Sequence, residues 1–204
     1  MNNTNKTDVP EVRTPSSPVL ILVKHALPQI VPGMPANRWR LSEAGRQRCK
    51  PLAYQLAAHH PQVIYASQEA KASETAQLLA QSLSLPIFPH PDLHEHLRET
   101  AAFTCQDEFE AAVGRFFDRP AELVFGEETA DGAHRRFSTA INTLLERHPD
   151  QNLVIVAHGT VISLFVSRAC QVAPFPFWKR LSLPSFVVLS RPGLALLKIV
   201  DDIP

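Results

Sequence analysis

The sequence predicts a three-layer α/β sandwich, in which helices flank a mostly parallel central sheet and the chain ends in a hairpin. Residues 20–26 and 153–159 are short apolar runs that each stop at a histidine, as expected of parallel strands buried on both faces. Segments with helical apolar spacing lie between these runs. Near the end, residues 191–193 (Arg-Pro-Gly) separate two apolar runs, which is typical of a hairpin turn.

Composition restricts the class of protein. With 204 residues the chain is long enough for one domain with a substantial core. Lys plus Arg and Asp plus Glu number 20 each, so no global field favours nucleic acid or an anionic membrane, and we expect neither as a partner. No apolar run reaches the ~18 residues that span a bilayer. Three scattered cysteines without metal-ligand spacing favour reduced thiols and a cytoplasmic protein.

Two parts of the chain depart from the regular pattern. Residues 1–17 are polar, with almost no large apolar side chain, which predicts a disordered tail. Residues 18–204 are expected to form a single domain. Within it, the irregular stretch at about 90–126 is expected to be a cap or lid over the strand ends, with a short helix that carries Phe109 and Phe117.

The other elements follow in order. Residues 28–40 hold several prolines and predict a loop over the end of the first strand. Ser42 and Ser67 are each expected to cap a helix. Pro51 falls inside the first of these helices and should kink it. The predicted strands lie within residues 20–26, 63–66, 86–88, 153–159, 186–190 and 194–200. The predicted helices lie within residues 42–60, 67–83, 109–117, 127–147 and 160–169.

Two histidines mark the candidate active site. Ligands of open α/β sheets bind outside the carboxyl ends of the strands, where His25 and His158 are both expected. A neutral imidazole is a usable nucleophile at pH 7. Attack on phosphorus also needs cations around the phosphoryl oxygens. The candidate phosphate-binding groups are Lys24, Lys71, Arg38 and His158, which precedes a helix start.

Acidic, basic and histidine side chains crowd residues 90–99, just after the third strand. Glu95 is the candidate that protonates the leaving oxygen, with Glu99 as the substitute acid. Arg98 is interpreted as a solvated charge. The spacing of His90, His94 and His96 matches no standard ligand set, so no metal is assigned there.

Five segments, in order, resemble the signatures of the histidine phosphatase superfamily, the phosphoglycerate mutase-like group. They are LVKHA (22–26), LSEAG (41–45), SQEAKASETA (67–76), LHE (93–95) and IVAHG (155–159). Both family arginines are lysines here, Lys24 and Lys71, and the glycine after the first histidine is Ala26. Pro28 stands where the family usually has a Ser or Thr that donates a hydrogen bond to phosphate, and the asparagine expected slightly later is missing. Lysine keeps the charge but loses the planar fork of arginine.

The resemblance implies a two-step reaction without metal or other cofactor. His25 attacks the phosphoryl group and becomes phosphohistidine while Glu95 protonates the departing oxygen, and water then releases phosphate. The implied substrate is a phosphomonoester, either a small metabolite or protein phosphohistidine. Two alternatives stay open. In the first, the chain is a weak or inactive relative that binds a phosphorylated ligand or partner. In the second, it is a phosphoglycerate-type mutase, although the missing asparagine and hydroxyl donor argue against this. The oligomeric state is left open.

Overall fold

A computed structural model describes residues 17–99 and 105–203, and within them it shows one six-stranded sheet between layers of helices. The strands are β1 (Val19–Lys24), β2 (Val63–Ser67), β3 (Ile87–His90), β4 (Leu153–Ala157), β5 (Ser185–Ser190) and β6 (Leu196–Val200). Their order across the sheet is β3-β2-β4-β1-β5-β6. The first four strands are parallel, β5 is antiparallel to β1, and β6 is antiparallel to β5. The predicted fold class, including the C-terminal hairpin, is confirmed.

The helices agree with the sequence pattern except at two places. They are α1 (Glu43–Ala57), α2 (Ala70–Leu83), α3 (Gln106–Asp118), α4 (Ala130–Arg147), α5 (Gly159–Cys170) and α6 (Pro174–Arg180). Ser42 caps α1 as predicted, because its hydroxyl accepts a hydrogen bond from the N–H of Gly45. The predicted cap of α2 is wrong, since Ser67 ends β2 and Glu69 occupies the N-cap position. Helix α6 was not predicted.

Both faces of the sheet are covered, which explains the uninterrupted apolar strands. On one face, Leu20 and Leu22 of β1 pack with side chains of α3 to α6. On the other face, Ile21 and Val23 pack with side chains of α1 and α2. All four of these side chains are fully buried, and each contributes about 1.5–3 kcal/mol relative to an exposed position.

The pairing of β1 with β4 sets the position of the two histidines. The strands are parallel and in register, with Lys24 opposite Ala157. The next residue of each strand is therefore a histidine at the same edge of the sheet. The N–H of His25 donates to the carbonyl of Ala157 over 3.1 Å, which holds the two strand ends together.

The predicted tail and part of the predicted lid lie outside the described residues, namely 1–16 and 100–104. The described part of residues 90–126 contains a 3-10 turn (Pro91–Leu93) and α3, which buries Val113, Phe116 and Phe117. None of the helices in the described ranges is long and apolar enough to cross a membrane.

Candidate active site

His25 and His158 meet at the carboxyl end of the sheet. Their ring centroids are 5.2 Å apart, with the ring planes at 63°. The Nδ1 atom of His25 lies 2.8 Å from the carbonyl of Ala26, which can only accept, so we assign the ring proton to Nδ1. Burial, together with the charge of Lys71, holds the pKa of His25 well below its ordinary value. His25 is therefore a neutral imidazole whose Nε2 lone pair is available as a nucleophile.

His158 lies behind this nucleophile and is fully buried. Its Nε2 atom is 2.8 Å from the hydroxyl oxygen of Ser67 and 3.6 Å from Oε1 of Glu69. Burial lowers its pKa to about 4, although the carboxylate of Glu69 opposes that shift. Its Nδ1 atom is buried and has no hydrogen-bond partner in the described part of the chain. The two imidazoles thus lie side by side, as predicted. Ser67 forms a hydrogen bond with His158 and does not cap α2.

Lys24 reaches the cavity beside His25. Its ammonium donates to the carbonyl of Leu181 over 2.6 Å and lies 5.9 Å from the ring centroid of Trp178. Burial lowers its pKa to about 8, opposed by the charge of Glu95. A Cβ on Gly159 would stand 3.1 Å from Cε of Lys24, so the glycine of the second histidine motif lets this lysine cross the start of α5.

Lys71 stands in the first turn of α2, where a cation faces the positive end of the helix dipole. Its ammonium donates to the carbonyl of Ala36 over 2.8 Å and to Oε2 of Glu69 over 2.6 Å. The anion that stabilises this lysine in the free protein is therefore a side chain of the protein itself.

Glu69 is a site residue that the sequence did not predict. Besides Lys71 and His158, it accepts a hydrogen bond of 2.8 Å from the N–H of Glu95. Burial would raise its pKa, but the neighbouring His158 and the ammonium of Lys71 outweigh burial and hold the pKa well below its usual range. The sequence held one signal, because Glu69 stands where the family motif has leucine.

Glu95 lies at the start of α5, facing the same cavity. Its Oε1 accepts from the N–H groups of His96 and Val161, and its Oε2 accepts from that of Thr160, over 3.0 to 3.2 Å. Burial raises the pKa of Glu95, but the neighbouring His158 and His96 lower it by more, so that the net pKa is about 2. Glu95 is thus ionised at neutral pH. A bound phosphate dianion raises the pKa of such a carboxylate by like-charge repulsion.

Arg38 and Arg98 lie in different environments. Arg38 is exposed and lines an outer cleft of about 400 Å³ with Asn37 and Gln68. Arg98 lines both this cleft and the cavity that contains His25. Its interpretation as a solvated charge is wrong, because its Nη1 atom is buried.

The cavity in front of His25 has a volume of about 860 Å³. Lys24, Lys71, Glu95 and Thr160 surround its polar end. Elsewhere the cavity is lined by the apolar side chains of Ile30, Val31, Met34, Trp39, Phe109, Phe125, Trp178 and Leu181 and by the charged side chains of Arg98, Glu99, Glu110 and Lys179. The site combines a neutral nucleophile with ammonium groups and a carboxylate, which is the chemistry of phosphoryl transfer. In residues 17–99 and 105–203, no three His, Cys, Asp or Glu side chains are arranged to hold a metal ion.

Comparison with known families decides the relationship. Residues 34–191 match the family described as the histidine phosphatase superfamily (branch 1). The chain belongs to this superfamily. Because the match begins after His25, the role of His25 depends on the geometry described above.

Two curated proteins are similar in sequence to this chain. Phosphoglycerate mutase-like protein 4 of Arabidopsis thaliana is 28% identical over 137 residues, which are 63% of this chain and only 60% of that protein. Phosphoserine phosphatase 1 of Hydrogenobacter thermophilus is 24% identical over 170 residues, covering 78% of this chain and 79% of that protein.

Solved structures share the fold at lower identity. A mycobacterial glucosyl-3-phosphoglycerate phosphatase has a TM-score of 0.74 at 19% identity, over 92% of this chain and 100% of that one. A phosphoserine phosphatase variant of Entamoeba histolytica, in complex with phosphoserine, has a TM-score of 0.71 at 17% identity, over 89% of this chain and 96% of that one. At such identities these likenesses show the fold alone.

Proposed function

We propose that the protein is a phosphatase that hydrolyses a phosphomonoester through a phosphohistidine on His25, without a metal. The observation that carries this proposal is that His25, whose ring lies 5.2 Å from that of the buried His158, lines a cavity together with Lys24, Lys71 and Glu95. The similar proteins that are named phosphatases support it.

The first step transfers the phosphoryl group to His25. Its Nε2 lone pair forms the P–N bond as the P–O bond to the alcohol breaks, and the alcohol oxygen takes the proton that Glu95 gains once the dianion is bound. Lys24 and Lys71 stabilise the charge on the equatorial oxygens. The imidazole of His158 contacts the phosphoryl oxygens once the phosphoryl group displaces the carboxylate of Glu69.

The second step returns the enzyme to its starting state. Glu95 accepts a proton from water as the water oxygen attacks phosphorus, and the P–N bond breaks, so that inorganic phosphate leaves and His25 is neutral again. The same carboxylate therefore acts first as acid and then as base.

The cavity supports a substrate larger than a phosphate ion. A volume of about 860 Å³ lies in the range of sites that enclose a whole organic ligand. The ring of Trp178 begins the apolar wall immediately beside the ammonium of Lys24. We therefore propose a small phosphomonoester with a partly apolar alcohol group.

Free thiols at Cys49, Cys105 and Cys170 support the cytoplasmic location that the sequence suggests.

A second candidate is a relative that binds a phosphorylated ligand with little turnover. Glu69 favours it, because its carboxylate is paired with Lys71 and lies 3.6 Å from His158. A buried carboxylate at this position opposes the entry of a phosphate dianion.

Turnover of p-nitrophenyl phosphate without added metal tests the first candidate. We expect hydrolysis by the wild type and its loss in His25→Asn, with an acid-labile phosphoprotein in the wild type alone. The matched control is His60→Asn, which changes an exposed histidine outside the site and suits its positive φ of 47°. Equal rates for wild type and His25→Asn would remove the catalytic proposal. Binding of alkyl and aryl phosphates without turnover would favour the second candidate.

A further inference from the structure

Arg98, in the segment between β3 and α3, lines the cavity in front of His25. Its Cζ atom lies 4.7 Å from the ring centroid of Phe109 and 5.8 Å from that of Phe125. The side chain lines the same cavity as His25 and Lys71. Two aromatic rings thus hold a planar cation against the wall of the site, which is the way in which guanidinium groups stack on aromatic faces.

This cation is incompletely bound within the protein. The Nη1 atom of Arg98 is buried, and no hydrogen-bond partner for it exists in residues 17–99 and 105–203. Buried polar atoms are normally paired, and a guanidinium cannot give up its charge to avoid the cost. A buried donor without a partner, on a residue that lines a cavity, indicates a ligand that supplies the acceptor.

Arg136, nearby in the fold, shows what a structural arginine looks like here. Its guanidinium donates to the carbonyl oxygens of Asp92, His94 and Glu95 and to both carboxylate oxygens of Glu128. The same stretch of chain that binds Arg136 so completely therefore leaves Nη1 of Arg98 without a partner in the described residues.

The charges around Arg98 identify the class of ligand. The carboxylates of Glu95 and Glu69 are its electrostatic partners, and their attraction opposes the lowering of its pKa by burial. The charge of Arg98 in turn lowers the pKa values of Glu95 and His158. Arg98 therefore belongs to the same cluster of ionisable groups as Glu69, Glu95 and His158, beside the cavity where the phosphoryl oxygens are expected.

We propose that Arg98 is a phosphate-binding residue, whose planar fork contacts the phosphoryl oxygens that Lys24 and Lys71 contact only as point charges. The inference rests on the proposed function and adds a residue to that site. Arginine is the side chain best suited to bidentate contact with phosphate, and both lysines here lack that geometry. Arg98 thus supplies, from the lid side of the cavity, the fork that the strand ends lack.

The test measures phosphate binding and turnover separately. Inorganic phosphate is titrated calorimetrically into the wild type, Arg98→Met and Arg98→Lys, and kcat/KM for p-nitrophenyl phosphate is measured on the same samples. Methionine keeps the contact with Phe109 without the charge, so the variant retains the packing of the wall. The matched control is Arg119→Met, because Arg119 is exposed and pairs with the exposed Glu122.

We expect phosphate binding and kcat/KM to fall by about 10- to 100-fold in Arg98→Met, the effect of a lost charge-assisted hydrogen bond. Arg98→Lys should recover part of both, which a merely structural role would not predict, and Arg119→Met should match the wild type. Phosphate binding by Arg98→Met that equals the wild type would overturn the assignment, even if His25→Asn had already established catalysis. Loss of binding in Arg98→Met, in a wild type that binds phosphate but does not turn over, would support Arg98 and refute the phosphatase.

Discussion

Replacing Glu69 by glutamine should strengthen phosphate binding. The carboxylate of Glu69 accepts from Lys71 over 2.6 Å and lies 3.6 Å from His158, so it occupies donors that a phosphoryl group needs. Glutamine keeps an oxygen that can accept from the N–H of Glu95 but removes the negative charge. Lys71 then becomes available to the ligand.

The size of the effect follows from the charges. For a phosphoryl group about 5 Å from the carboxylate, an effective dielectric constant of about 20 gives a repulsion of about 3 kcal/mol per unit of ligand charge. Movement of Lys71 and of water offsets part of this. We therefore expect phosphate to bind about 10- to 100-fold more tightly, a gain of about 1.4–2.7 kcal/mol.

Stability should change in the opposite direction. Breaking a buried ion pair by removing one partner costs about 3–5 kcal/mol. The side chains of Lys71 and Glu69 are only 6% and 12% exposed, so their pair is of this kind. The free energy of unfolding of Glu69→Gln should fall without phosphate and recover partly when phosphate is added.

Calorimetric titration of inorganic phosphate at pH 7 measures the affinity, and urea unfolding with and without phosphate measures the stability. Glu122→Gln is the matched control, because it removes a carboxylate from an exposed pair far along the chain. If folded Glu69→Gln binds phosphate no better than the wild type, then Glu69 does not compete with the ligand for Lys71. Weaker binding would show instead that Glu69 assists the site.

Two further predictions concern pH. Burial lowers the pKa of Lys24 to about 8, so kcat/KM should decline as pH rises through 8. Lys24→Arg should move this decline to higher pH. If kcat/KM of both proteins declined over the same pH range, the prediction would be wrong. Burial lowers the pKa of His96 from 6.5 to about 4, so the unfolded chain binds more protons between these values and stability is lost as pH falls below 6.5. Removing this group in His96→Leu should make the loss of unfolding free energy from pH 7 to pH 5 smaller by about 2 kcal/mol, as measured by urea unfolding at both pH values. An unchanged loss would assign the pH dependence to other groups.

The parts of the site that follow strand ends could be predicted from the sequence. The apolar runs fix β1 and β4, and parallel pairing then brings the residues after them together whatever lies between. For that reason Lys24, His25 and His158 were found at one edge. Glu95 was found because it follows β3 closely along the chain, although β3 itself is short and mostly exposed.

The residues that were missed depend on contacts that no local pattern encodes. Arg98 looks like any surface arginine until Phe109 and Phe125 close over it. Glu69 looks like an ordinary carboxylate just before a helix, and only the fold shows that it contacts Glu95 and His158, which lie 26 and 89 residues away along the chain. Helix α6 begins at Pro174 and is too short for a helical period to appear.

The parallel pairing of β1 and β4 has a consequence for how this protein can diverge. Main-chain hydrogen bonds in the middle of the sheet hold the strand ends that carry the imidazoles, whereas much of the cavity wall comes from residues 28–39, α3 and α6. Insertions or exchanges in those outer segments leave the spacing of the rings untouched. If the proposed phosphatase activity holds, these segments set the preference for one alcohol over another, and grafting them from a relative is a direct way to change it.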